Sequence, residues 1–345
     1  MKKPLLFCGV IVALSAVACL IIVTFDRSNK VELGIYRPVE CADMSQADSL
    51  LRREGLENEF KQYIMSQYIE GKTIAGFGEI PIKVENGAIA QDVTQIATDN
   101  SSISVLNTFY GVSLSNALQI EYNKDKVQQM IRELLRDYAC DEYGSSLYEY
   151  ALTEYATILL IVETDYPLTK KERTIMVESA NAGLEQIEYS FDNCYTPLIL
   201  SQFFCETLKT LDVSPSEEAK KTIMVFLNRL IREEICRNTS MLSEIAVLFE
   251  CLGEEKPAEL IDQINEMKVN LLHHGGYTLS SLSEIPDLVT TAKVLRTEEC
   301  IDKEGLRSFL SSMEHDSIIG VCEGENILTN LRFYYYFAKL LCYAE

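Results

Sequence analysis

Residues 214–231 read Ser214-Pro215-Ser216-Glu217-Glu218-Ala219-Lys220-Lys221-Thr222-Ile223-Met224-Val225-Phe226-Leu227-Asn228-Arg229-Leu230-Ile231. Ser214 with Glu217 has the form of a capping box, in which hydroxyl and carboxylate each satisfy an orphan amide, with proline at the first helical position. Ile223, Phe226, Leu227, Leu230 and Ile231 then recur at helical spacing and predict a helix with one buried stripe. Thr169-Lys170-Lys171-Glu172 is a second capping box. Asn123-Lys124-Asp125 and Asp302-Lys303-Glu304 offer cap residues with early acids that suit the helix dipole, and Pro257 with Glu259 marks a weaker start.

Between these amphipathic helices lie more uniformly apolar ones, each marked by a hydroxyl residue: Thr108, Thr153, Ser201, Ser243, Thr291 and Thr329. Their spacings of 45, 48, 42, 48 and 38 residues are each the length of two helices and two turns, the signature of a repeated helix pair. The Thr291 unit departs, its first helix ending near Arg296. Ser45 to Glu70 adds one more amphipathic helix. Residues 71–100, with Gly71, Gly76, Gly78, Gly87 and Pro81 around a strand-like Ile80–Val84, form an irregular insertion, an ordered loop or hairpin. Six first helices, five second helices and the N-terminal one make twelve. The predicted fold over residues 45–345 is all-α, an α/α toroid of about six helix pairs with first helices inside; an open superhelix has the same count.

The chain has 345 residues, 47% hydrophobic, with 52 acids against 31 bases and a net charge of −21. That balance excludes a phosphate-backbone binder, so no nucleic-acid partner is expected. Ahead of the repeats, Met1-Lys2-Lys3 precedes an uncharged run from Pro4 to Phe25, about 33 Å as a helix and long enough for a bilayer core. This predicts an N-terminal transmembrane helix (residues 1–25 the membrane anchor, 4–25 its span), a stalk at 26–44, and a single-pass protein with its body on the extracytoplasmic side. A cleaved signal or lipoprotein box at Ala16-Val17-Ala18-Cys19 is the competing reading, but Leu20–Val23 continue the apolar run. Residues 1–30 hold four bases and one acid, so the body keeps 27 bases and 51 acids, net −24. Of eleven cysteines, nine lie outside the apolar run at wide spacings without C-x-x-C, which specifies no disulfide framework and suits small buried hydrophobes.

Gly275-Gly276-Tyr277, then Ile285-Pro286-Asp287-Leu288-Val289-Thr290-Thr291, then Ile301-Asp302, resemble a repeat of the prenyltransferase and terpenoid-cyclase toroid superfamily. Such repeats carry a Gly-Gly-aromatic turn, an Asp-Leu-x-x-Thr helix start and an Ile-Asp pair opening the second helix. Asn107-Thr108-Phe109-Tyr110 resembles the same helix start. These are turn and cap residues, so they speak for fold rather than activity. The resemblance implies a zinc-binding Asp-x-Cys in the prenyltransferase branch, and Asp192-Asn193-Cys194-Tyr195 is similar to it. The third ligand, a histidine of a later helix, is missing from Ser240–Ile245, and two ligands do not make a catalytic zinc site. Cyclase acid motifs, tryptophan repeats and the thioester motif are absent too.

His273-His274, the only histidine pair, precedes a glycine turn and reads as a helix C-terminal cap. Asp192, Cys194, Tyr195, His273 and His274 are therefore the candidate binding residues, with no catalytic residue, metal or cofactor assigned. Tyr334-Tyr335-Tyr336 point in different directions on a helix and read as core. Paired acids such as Asp141-Glu142 or Glu284 with Asp287 do not stand out among 52. The resulting expectation is a membrane-anchored, non-catalytic interaction module for a protein, peptide or glycan. A glycosidase- or lyase-like α/α barrel enzyme, or a degenerate prenyltransferase-like zinc protein, is the alternative.

Overall fold

The computed structural model describes residues 33, 36–41, 43–78, 84–85, 88–89, 103–138, 146–235, 238–279, 286–297, 301–315, 318–323 and 326–345. Thirteen helices lie among them: α1 (Ala47–Glu54), α2 (Glu57–Ser66), α3 (Val105–Leu118), α4 (Lys124–Tyr138), α5 (Leu147–Glu163), α6 (Lys170–Glu185), α7 (Tyr195–Thr210), α8 (Glu217–Arg232), α9 (Thr239–Cys251), α10 (Ala258–Asn270), α11 (Leu288–Leu295), α12 (Lys303–Ser312) and α13 (Leu331–Tyr343). From α3 onward the odd-numbered helices form an inner ring. Each packs on the next, α3 on α5, α5 on α7, α7 on α9, α9 on α11 and α11 on α13, and α13 returns to pack on α3. The even-numbered helices α4 to α12 lie outside, and α1 with α2 covers the junction of α13 and α3. Asn116 Nδ2 donates to Glu163 O at 2.9 Å and Lys209 Nζ to Glu250 O at 2.7 Å. These bonds bring the C-terminal ends of successive inner helices together, so those helices run the same way.

The expectation of an N-terminal transmembrane helix, with its membrane and signal-anchor reading, is corrected. Among the described residues no helix is long and apolar enough to cross a membrane. Residues 4–25, on which that reading fell, lie outside the described residues.

The inner and outer helices differ as their sequences do. In α7 the buried side chains include Leu198, Leu200, Phe204, Cys205, Glu206 and Leu208, on all sides of the helix. The outer helix α8 buries only the stripe of Ile223, Phe226, Leu227, Leu230 and Ile231, as an amphipathic period requires. The capping box at Thr169 and Glu172 forms, and a second closes α5 through Ser146 and Glu149. At α8 the cap is instead Ser216, whose hydroxyl accepts from Ala219 N, so Pro215 stands before the cap rather than inside the helix. The N-terminal helix of 45–70 is two: Gly55, at φ 77°, ends α1 in the left-handed conformation that glycine adopts without strain.

Short antiparallel hairpins join outer to inner helices at three adjacent positions: β1 (Tyr68–Glu70) with β2 (Ala75–Phe77), β5 (Leu272–His273) with β6 (Gly276–Tyr277), and β7 (Glu314–His315) with β8 (Ile318–Ile319). The pairs β3 (Val84–Glu85) with β4 (Ala88–Ile89) and β9 (Val321–Glu323) with β10 (Asn326–Leu328) lie in the connecting loops. The hairpins explain two of the hydroxyl markers, Thr108 and Thr291. Phe77 N donates to Thr108 Oγ1 at 3.0 Å and Tyr277 N to Thr291 Oγ1 at 2.9 Å, so a hydroxyl in the first turn of the inner helix holds the incoming strand. In the last unit Tyr334 takes that role, its OH accepting from Ile319 N at 3.4 Å, while Thr329 lies in the loop before α13.

Candidate functional site

The five candidate binding residues lie in two separate parts of the chain, the turn and first residue of α7 and the β5–β6 hairpin. Asp192 is exposed in the turn before α7, and Cys194 is the half-buried residue at the helix start, with no side-chain capping bond. Tyr195 is exposed and Cys194 is a free thiol. His273 and His274 do not cap a helix: α10 ends at Asn270, and the two sit in the β5–β6 hairpin. Its two-residue turn is His274 (φ 50°) and Gly275 (φ 84°), both left-handed as a type I′ turn demands. A Cβ on Gly275 would lie 1.7 Å from Gly305 O, so here the Gly-Gly-aromatic turn is a device for packing the hairpin on α12. Among the described residues no group of three or more His, Cys, Asp or Glu side chains is arranged to hold a metal.

Polar chemistry gathers instead inside the ring. The inner helices bury single charged residues in apolar surroundings: Glu154 on α5, Glu206 on α7, Glu244 on α9 and Lys339 on α13. Lys293 and Arg296, on and just after α11, are 13% and 9% exposed through their side chains. The acids Glu206 and Glu244 stand on neighbouring helices, and the bases occupy the next two around the ring. Lys293 pairs with Glu244 and also donates to Ser240 Oγ at 3.2 Å.

Residues 36–41, within the stretch read as a stalk, lie between these two walls. Tyr36 OH donates to Glu206 Oε1 at 3.2 Å and lies 3.5 Å from Cys251 Sγ, with Lys209 Nζ 4.2 Å above its ring. Arg37 Nη2 pairs with Glu163 Oε1 at 3.0 Å. Pro38 is buried, and Cys41 N donates to Pro38 O at 2.9 Å, closing a tight turn with Val39 and Glu40 at its tip. Around that tip, Tyr335 OH donates to Glu40 O, Lys339 Nζ to Val39 O at 3.1 Å, and Tyr336 OH to Glu40 Oε2 at 2.7 Å. Two of the three consecutive tyrosines therefore grip this segment. The third, Tyr334, stacks on Tyr63 with ring centres 4.0 Å apart.

The electrostatics of the two walls are opposite. Burial alone would raise the Glu40 carboxyl, but the charges of Lys339, then Arg296 and Lys293, hold it down to about 2. Burial pushes Glu206 up to about 7; the bond from Tyr155 and the charge of Arg296 oppose that shift only in part. Glu154 is likewise raised to about 7 by burial, against hydrogen bonds from Ser179 and Tyr150. Its partner Ser179 belongs to the outer helix α6, so Glu154 is engaged between rings rather than by the 36–41 segment. Burial lowers Lys339, which Glu40 partly restores.

The signal that locates this site in the sequence is the lone charge within an otherwise apolar helix, as in Phe204-Cys205-Glu206-Thr207-Leu208 or Phe337-Ala338-Lys339-Leu340. Tyr36 and Glu40 carry no such signal, because they lie outside the repeats. No family model matches the chain, and no curated protein or solved structure matches it either.

Proposed function

We propose that the protein is a non-catalytic binding module whose ring takes a short polypeptide segment in its centre. The observation that carries this reading is the grip on residues 36–41 by α5, α7, α9 and α13, through two main-chain carbonyls as well as side chains. Carbonyl recognition favours a polypeptide over a glycan, and the inner wall offers tyrosine hydroxyls and a lysine for it. The ligand would present an aromatic residue to Glu206 and, four residues on, an acid at the tip of a turn, as Tyr36 and Glu40 do. Glu206 has the raised proton affinity of a general acid, but it lies beneath Tyr36 and Tyr155. That arrangement supports binding over hydrolysis by a pair of water-exposed acids.

The test is binding in trans. In the full chain carrying Tyr36→Ala the tethered segment loses its anchor on Glu206, and a fluorescent peptide of residues 33–44 should bind saturably by anisotropy. The unaltered chain should bind it at least about tenfold more weakly, because a tethered competitor acts at an effective concentration of order millimolar. No binding to the Tyr36→Ala chain overturns the proposal.

A further inference from the structure

Buried Lys339 meets the tip of the 36–41 turn, and the charges of the largely buried Arg296 and Lys293 act on Glu40 there as well. Lys293 is taken up by Glu244. Arg296 is not satisfied in the same way. Its Nε reaches Lys293 O at 3.4 Å, and its Nη2 lies 3.7 Å from Glu244 Oε2, an ion pair without a hydrogen bond. Among the described residues neither Nη1 nor Nη2 of Arg296 has a hydrogen-bond partner, although both are buried. A buried guanidinium that spends none of its terminal donors is costly unless an anion is held close by. Lys339 is 3% exposed through its side chain, and Glu40 Oε2 lies 3.9 Å from its Nζ. Lys339 thus pairs with an acid whose charge also acts on Arg296, and that acid belongs to a segment from outside the ring.

We infer that Arg296, Lys339 and the Tyr336 hydroxyl form a carboxylate-binding subsite, that Glu40 occupies it as a tethered pseudo-ligand, and that an incoming polypeptide displaces residues 36–41 by supplying an acidic side chain of its own. The inference rests on the polypeptide-binding reading and adds its specificity. With Glu40 withdrawn, buried Lys339 would lose its paired anion and Arg296 would keep only the unbonded Glu244, so a neutral segment does not substitute for residues 36–41. The planar fork of Arg296 suits a carboxylate, and Tyr336 OH and Lys339 Nζ converge on the same group from α13. The wider composition agrees: the −21 net charge makes a buried basic cluster an exception within this chain.

The experiment compares two peptides of residues 33–44, one unaltered and one carrying Glu40→Gln, on the full chain carrying Tyr36→Ala. The acidic peptide should bind at least about tenfold tighter, the usual scale for losing a charge-assisted contact in a buried site. Changing Arg296→Gln in that chain should shrink the difference between the peptides to about threefold or less. Because the first comparison alters only the peptide, it reads out even where Arg296→Gln fails to fold; Lys339→Met then serves as the second variant. Equal binding of the two peptides overturns the carboxylate subsite and leaves the polypeptide-binding reading standing. Binding of neither peptide overturns both.

Discussion

The two walls of the ring treat the same inserted segment in opposite ways. On α7 and α9 the wall presents acids, and the segment answers with a phenol: Tyr36 OH donates to Glu206. On α11 and α13 the wall presents bases, and the segment answers with a carboxylate: Glu40 is held beside Lys339 and bonded by Tyr336. The acidic wall gains a neutral donor, so its carboxyl stays hard to ionise and Glu206 titrates near 7. The basic wall gains a full counter-charge, so Glu40 is driven down to about 2. A buried site tolerates charge only where the opposite charge arrives with it, and only one of the two walls receives that charge from the segment.

The comparison breaks most severely at Glu40. Glu40→Lys sets a third cation against Lys339 and Arg296 and should cost about 3–5 kcal/mol of the stability of the seated segment, the scale for an uncompensated buried charge. Denaturant titration measures the loss, and amide exchange at residues 36–41 should rise well above its rate in the native chain. Exchange at the native rate would show that the basic wall does not hold the segment.

The acidic wall is tested by pH. Glu206 has a folded pKa near 7 against an ordinary value of 4.5. The folded state therefore binds more protons between those limits, and the stability linked to this group is full below pH 4.5 and declines as pH rises through 7. Its neighbours are Tyr155 on α5, Tyr36 on the segment, and the charges of Arg296, Glu40 and Glu244. Glu206→Gln abolishes that titration. It should be more stable than the native chain by about 2–3 kcal/mol at pH 8 and should lose most of that advantage at pH 4.5. Parallel melting curves at the two pH values check it; an advantage independent of pH would exclude Glu206 as the titrating group. Glu40 works in the other sense, its contribution present above pH 4.5 and lost as pH falls toward 2.

Two smaller changes sharpen the contrast. Tyr36→Phe removes the hydroxyl bond to Glu206 but keeps the ring beneath Lys209, and should cost about 1–2 kcal/mol, the price of one buried hydrogen bond. Amide exchange at residues 36–41 should rise while the ring amides stay protected. Thr169→Ala deletes an outer-ring cap that touches neither wall. It should lower global stability by about 1 kcal/mol, read from the melting temperature, with affinity for the 33–44 peptide unchanged in the Tyr36→Ala chain.

Much of the helical pattern was legible because it is local. The capping box at Thr169 and Glu172, the amphipathic stripe of residues 223–231 and the Asp302 cap depend on residues three to eight positions apart, and each forms, whereas the cap read at Ser214 falls two residues on, at Ser216. Local rules failed where one residue overrode a pattern, as Gly55 does in splitting the N-terminal helix, or where a hairpin replaced a cap, as at His273-His274. The hydroxyl markers were located correctly at Thr108 and Thr291, yet their partners, the amides of Phe77 and Tyr277, appear only when strand and helix pack. Asp192 and Cys194 resemble two ligands of a zinc motif, but among the described residues no further His, Cys, Asp or Glu joins them in a metal-holding group.

The sequence by itself determined which segments become helices and which of them are apolar on all sides, because propensity, capping and periodicity act within a few residues of the chain. Tertiary structure alone decided that α13 closes on α3 and that residue 40 meets residues 336 and 339. Those contacts span more than 200 positions, and no local preference encodes them. They follow from the need to give buried charges partners of opposite sign, which becomes acute only once the ring has excluded water.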